Sequence, residues 1–181
     1  MKGVPLMNKH PFVVWQVVGF KNSGKTTVVS QLIKRLQQQG YRVGSLKHHG
    51  HGGPPLIEGV ATDSGKHRQA GAVVSGVEGD GIFHWIAKKQ SWSLEEMLHM
   101  YEVMDVDVVL LEGFKRATYP KTVILKDEYD LSLLEECSHI DSYLYWGQVP
   151  FFSIEEDGAA FSIYHSKSIE ELSKRIIERC K

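Results

Sequence analysis

Only two cysteines, Cys137 and Cys180, occur in 181 residues, and they lack metal-ligand spacing. Two cysteines in a chain of this size suggest a reducing compartment. No window approaches the ~18 consecutive apolar residues that a membrane span requires. The Met1–His10 segment has no long apolar core and makes a poor signal peptide. Acidic and basic residues nearly cancel, 22 against 21, so charge gives no case for a nucleic-acid or membrane partner. Internal repeats and low-complexity tracts are missing as well. These absences predict a cytoplasmic protein with a flexible segment over residues 1–11. A single domain over residues 12–181 is long enough to bury one sizeable core.

The chain does contain one dense signal. Apolar residues from Phe12 end in Gly19-Phe20-Lys21-Asn22-Ser23-Gly24-Lys25-Thr26, and a helical pattern follows at once. This is the phosphate-loop pattern, glycine, four residues, then Gly-Lys-Ser/Thr, with a strand before it and a helix after. Backbone N–H groups from Gly19 to Lys25 turn inward around an anion, a geometry that glycine permits. The following helix adds its unpaired amides and its positive dipole end. Lys25 then reaches the β- and γ-phosphates, and the Thr26 hydroxyl ligates magnesium. Lys21, Asn22, Ser23, Gly24 and Thr27 complete the candidate nucleotide site.

Pattern places the remaining elements. Lys25–Gln39 is predicted as a helix with Gly40 at its end, and Arg42–Lys47 as a second strand. A loop over His48–Thr62 leads to a short helix, Asp63–Ala70, with Asp63 as its N-cap. Strands at Val73–Val77 and Ile82–Ala87 flank a hairpin turn. Ser93–Met104 opens with a Ser93…Glu96 capping box. Val106–Leu111 is the most hydrophobic strand, and Thr122–Leu125 and Tyr143–Tyr145 are shorter ones. Ser168–Arg179 closes the chain as an amphipathic helix. The expected fold is α/β: a P-loop nucleoside triphosphate hydrolase fold, its mostly parallel sheet flanked by helices, with a β-hairpin insertion.

Two acids compete for a magnesium role, Asp107 and Glu112. Ligands in an open parallel sheet sit beyond the carboxyl ends of the strands. Asp107 starts its strand and lies roughly 16 Å from Glu112 at ~3.3 Å per residue. Glu112 is therefore assigned to magnesium, through water, or to orienting an attacking water, and Asp107 to a turn. Lys47, His48, His49 and His51 lie at the carboxyl end of the second strand, near the ligand rim. They suit phosphate, an anionic substrate or a metal, or are simply solvated. Arg68 can pair with phosphate through its planar fork, and Asp63 can cap a helix, assist magnesium or act as a base. The alternative for this segment is an exposed amphipathic turn.

Together these segments resemble the molybdopterin-guanine dinucleotide biosynthesis protein B family of bacteria. The resemblance rests on Ser23-Gly24-Lys25-Thr26-Thr27, Lys47-His48 with the following histidines, Asp63-Ser64 with Arg68 and Ala70-Gly71-Ala72, and Leu111-Glu112-Gly113-Phe114-Lys115. It implies a P-loop GTPase-like fold, a homodimer and weak GTP hydrolysis with Mg2+. It also implies support for a guanylyltransferase that attaches GMP to molybdopterin, with contact to molybdopterin-bearing proteins. Within it, Lys25, Glu112 and Asp63 are the catalytic candidates, and Lys47, His48, His49, Ser64 and Arg68 form the phosphate or substrate rim. One departure is Ala61-Thr62, where the family often has Gly-Lys. The base-reading Asn-Lys-x-Asp is absent, and Lys21 does not directly follow the first glycine as the signature lysine of related dimeric ATPases does. The histidine loop keeps a metal-delivery GTPase open as an alternative, and Asp63 keeps a small-molecule kinase open.

Overall fold

A computed structural model describes residues 9–50, 53, 55, 62–147 and 158–180. The chain divides into two compact units, Met1–Gly50 with Leu98–Lys181, and His51–Met97. The larger unit is built on a six-stranded sheet in the order β2-β5-β1-β6-β7-β8. Its strands are β1 (Val13–Val18), β2 (Val43–Lys47), β5 (Val108–Glu112), β6 (Lys121–Leu125), β7 (Ile140–Tyr145) and β8 (Ala159–Ser162). Every neighbouring pair is parallel. Parallel strands need crossovers, and the helices that supply them cover the sheet faces. That burial on both sides explains why β1 and β5 are apolar almost throughout and buried at every residue.

Side-chain alternation divides the core. Trp15, Val17, Leu110, Ile124 and Leu144 pack with Val28, Leu32 and Leu36 of α1 (Lys25–Gln38) and Leu172 and Ile176 of α5 (Ser168–Ile177). Val18, Val123, Leu125 and Tyr143 form a second cluster with Leu133 of α4 (Ser132–Glu136) and Cys137. Burying one such aliphatic side chain is worth roughly 1.5–3 kcal/mol. Three polar side chains inside form one chain of bonds: Trp15 Nε1 donates to Thr122 Oγ1 at 3.0 Å, and Thr122 meets Ser142 Oγ at 2.9 Å.

In the smaller unit, α2 (Asp63–Gln69) precedes a hairpin of β3 (Val74–Gly79) and β4 (Ile82–Ala87). The N-cap of α2 is Thr62, not Asp63: the Thr62 hydroxyl accepts from Gly65 N at 3.2 Å. Asp63 is the first helical residue and pairs with Lys66. The hairpin pairs as far as Gly79↔Ile82, so its turn is Asp80-Gly81 alone. Both turn residues have positive φ, 52° and 76°, which suits the right-handed twist of the strands. The capping box before α3 (Leu94–Glu102) is present: Ser93 Oγ accepts from Glu96 N, and Glu96 accepts from Ser93 N.

Observed strands and helices start or stop within one or two residues of the pattern-based limits in most cases. The largest difference is at β7, which begins three residues before its predicted start, while α3 and α5 each end two residues early in turns and β5 starts two residues late. Among the described residues, no helix is long and apolar enough to cross a membrane.

Candidate functional site

Three strand ends meet beside the loop. Val17, Glu112 and Lys47 lie in register across β1, β5 and β2. Because the strands are parallel, their carboxyl ends share one edge of the sheet. The loop Gly19–Gly24 leaves β1 at that edge and enters α1. Asn22 (φ 61°) and Gly24 (φ 94°) are left-handed there, which bends the backbone into a tight turn. A side chain at Gly19 would sit 2.4 Å from Ser23 Oγ and 3.2 Å from the Ile124 carbonyl, so any other residue here forces the loop to shift.

Helix α1 begins without a side-chain cap and without an acid in its first turn. Unpaired N–H groups and the positive dipole end are therefore left for an external anion. Lys25 adds a cation at the same place. Its Nζ donates to the Phe20 carbonyl at 2.6 Å across the loop. Burial pushes the ammonium below its usual value, opposed by Glu112 and Asp130 and reinforced by Lys47. A desolvated cation of this kind gains from an incoming anion.

Glu112 is buried, and one of its oxygens gathers two donors. Thr26 Oγ1 donates to Glu112 Oε1 at 2.9 Å, and Lys47 Nζ lies 3.0 Å from the same oxygen. Lys47 also reaches Thr26 Oγ1 at 3.3 Å. The carboxylate is fixed from behind. Gly113 and Phe114 both have positive φ, and Gln16 of β1 donates to their carbonyls at 3.2 and 2.9 Å. His48 N bonds the Glu112 carbonyl at 3.0 Å, and the His48 ring lies 5.0 Å from that of Phe114. Asp107 stands at the opposite end of β5, paired with Arg42. Strand direction thus puts Glu112 beside the loop and Asp107 at the far end of β5.

The structure brings together Lys25, Thr26, Lys47 and Glu112, with Ser23 buried beneath them and Lys21, Asn22 and Thr27 exposed along the loop and first turn. Asp63, Ser64 and Arg68 belong to the smaller unit and make contacts there. Ser64 Oγ meets Thr62 Oγ1 at 3.2 Å, and Arg68 Nη1 donates to Ser75 Oγ at 2.9 Å. His51 lies outside the described residues. Among the described residues, no group of three or more His, Cys, Asp or Glu converges as a metal cage.

Sequence reasoning passed over three participants. Gln16 had a visible signal, a single amide inside the apolar run Val-Val-Trp-Gln-Val-Val. Asp130 and Trp146 had none, since both come from the segment after Leu125. Asp130 is buried and accepts from Lys126 N at 2.5 Å. Trp146 Nε1 donates to the Ser23 carbonyl at 3.0 Å.

With this geometry in view, comparison with known proteins is decisive. The family described as molybdopterin guanine dinucleotide synthesis protein B (MobB) matches residues 14–142. The chain belongs to the MobB family. A Bacillus subtilis (strain 168) relative, "Probable molybdopterin-guanine dinucleotide biosynthesis adapter protein", is 46% identical over 127 residues, 69% of this chain and 72% of that one. The crystal structure of Bacillus subtilis MobB superposes with a TM-score of 0.78 at 33% identity, covering 94% of this chain and 99% of the other. A MobB homologue from Bacillus stearothermophilus gives a TM-score of 0.70 at 29% identity, covering 91% and 98%. The family match spans the phosphate loop, Lys47 and Glu112, and the fold is that of P-loop nucleoside triphosphate hydrolases.

Proposed function

We propose that this chain is a GTP-binding adapter of molybdenum cofactor biosynthesis. It assists a guanylyltransferase that converts molybdopterin to its guanine dinucleotide form, and it hydrolyses GTP weakly. It acts in the cytoplasm as a homodimer, with residues 12–181 serving as one nucleotide-binding domain. The adapter role rests on the family and on the name of the Bacillus subtilis relative. The single observation that carries nucleotide binding is the uncapped start of α1 with Lys25 beside it.

Loop amides and Lys25 hold the β- and γ-phosphates. Thr26 and Glu112 would hold Mg2+, and their paired hydroxyl and carboxylate are the hard oxygen donors that this ion prefers. Bound there, the ion offsets charge on the β- and γ-oxygens. Lys47 adds positive charge at the same edge, and His48 and His49 follow it at the rim. The phosphate-contact roles of Asp63, Ser64 and Arg68 rest on the family resemblance. Turnover is slow because no strong arginine finger is evident in the sequence, Arg68 being the one candidate, and GTPases lacking such a finger turn over ~10³–10⁵-fold more slowly.

The test is affinity for GTP and ATP with Mg2+, in wild type and Lys25→Ala. Binding by wild type that is lost in the variant, with GTP preferred, supports the reading; equal and negligible binding by both ends it. A guanylation assay with purified guanylyltransferase, with and without this protein, tests the adapter role. An unchanged yield counts against that role.

A further inference from the structure

A phosphate loop that turns its N–H groups inward must turn its carbonyls outward. Each peptide is planar and trans, so fixing one carbonyl fixes the N–H on the opposite side. Among the described residues there is no cis peptide. The Ser23 carbonyl is one such outward group, and the indole N–H of Trp146 bonds it at 3.0 Å. The N–H of the same peptide belongs to Gly24, the left-handed residue at the start of α1.

Trp146 is itself held rigidly. It follows β7 directly, and its backbone N–H bonds the Leu125 carbonyl of β6 at 2.9 Å. Its ring packs on the core under α1 and meets Tyr164 edge-on at 5.5 Å. The ring also walls the loop: a side chain at Gly24 would lie 3.4 Å from its Cζ2. Trp146 itself lies outside every motif on which the family resemblance rests.

We infer that Trp146 is a positioning residue of the phosphate loop: its indole N–H fixes the Ser23–Gly24 peptide so that the Gly24 N–H faces the triphosphate. Two effects act together. Orientation removes the entropy that a glycine peptide would otherwise lose on binding. Donation to the carbonyl also polarises the peptide, which strengthens its N–H as a donor. The inference rests on the nucleotide-binding reading proposed above.

Trp146→Phe keeps a ring and deletes the donor. Loss of one neutral hydrogen bond predicts GTP·Mg affinity lower by about three- to tenfold. The second measurement uses wild type labelled with 15N. The protein has four tryptophans, so four indole N–H resonances are expected, and the one missing in Trp146→Phe identifies Trp146. Addition of GTP·Mg should shift that resonance, which a purely packing role would not do.

Wild type that binds GTP while Trp146→Phe binds equally, with an unmoved indole resonance, overturns the inference and leaves nucleotide binding intact. Wild type that does not bind GTP removes the nucleotide reading and this inference with it. If Trp146→Phe fails to fold, the same resonance is identified by replacing Trp15, Trp85 and Trp92 one at a time. Its response in wild type then decides the matter.

Discussion

The hydroxyl of Thr26 donates to Glu112 across 2.9 Å, tying the first turn of α1 to the end of β5. That bond joins residues 86 positions apart and makes the loop and the acid one site. Glu112→Gln should therefore weaken Mg2+-dependent GTP binding by at least about tenfold, since charged hydrogen bonds are worth ~1.5–3 kcal/mol. Asp107→Asn, at the far end of the same strand, should leave affinity unchanged. Titration calorimetry on both variants checks this, and equal losses would show that strand polarity does not select the acid.

Gly19→Ala should lower stability and nucleotide affinity together. Its new Cβ would lie 2.4 Å from Ser23 Oγ and 3.2 Å from the Ile124 carbonyl. Overpacking of this kind costs about 1–3 kcal/mol. Gly40→Ala is the control. Gly40 is also left-handed, at φ 88°, but nothing lies within 4 Å of an added Cβ. It should reduce stability alone, as read by denaturant midpoint beside GTP affinity.

Gln16→Leu should destabilise the protein by about 1–3 kcal/mol, because two carbonyls of the Gly113-Phe114 turn lose their donor. Glu112 precedes that turn, so GTP·Mg affinity should fall as well. Equilibrium unfolding and nucleotide titration together check it. Unchanged affinity with lowered stability would show that the turn does not aim the carboxylate.

Lys121 is buried, and its Nζ donates to the Ala117 carbonyl at 2.6 Å. Burial holds its ammonium below the ordinary 10.5, an effect partly opposed by Cys137. Between the folded value and 10.5 the unfolded chain binds more protons, so this group's contribution to stability rises with pH across that window. Below the window it is a constant penalty. In Lys121→Met the contribution is absent. The difference in unfolding free energy should therefore move in favour of wild type as pH rises toward 10.5. Parallel pH curves for the two proteins would refute it.

Where the signal was contiguous, the chain was readable in advance. The strand, loop and first helix occupy neighbouring positions, and their chemistry depends on spacing along the backbone. Strand direction was enough to prefer Glu112 over Asp107. Thr62 displaced Asp63 as a cap because both residue types cap well and only backbone geometry separates them. Gln16 could have been noticed as a lone amide in an apolar strand, but its target carbonyls could not.

The amino-acid order by itself determined the Gly19–Thr26 loop between strand and helix, the longer helices and the parallel α/β class, since each follows from local geometry and periodicity. Tertiary structure alone decided that β5 inserts between β2 and β1, which sets Lys47, Glu112 and Thr26 around one oxygen. It also decided that Trp146 backs the loop. Such contacts join distant segments, and no spacing rule encodes which strand edge a chain will choose when it returns to the sheet.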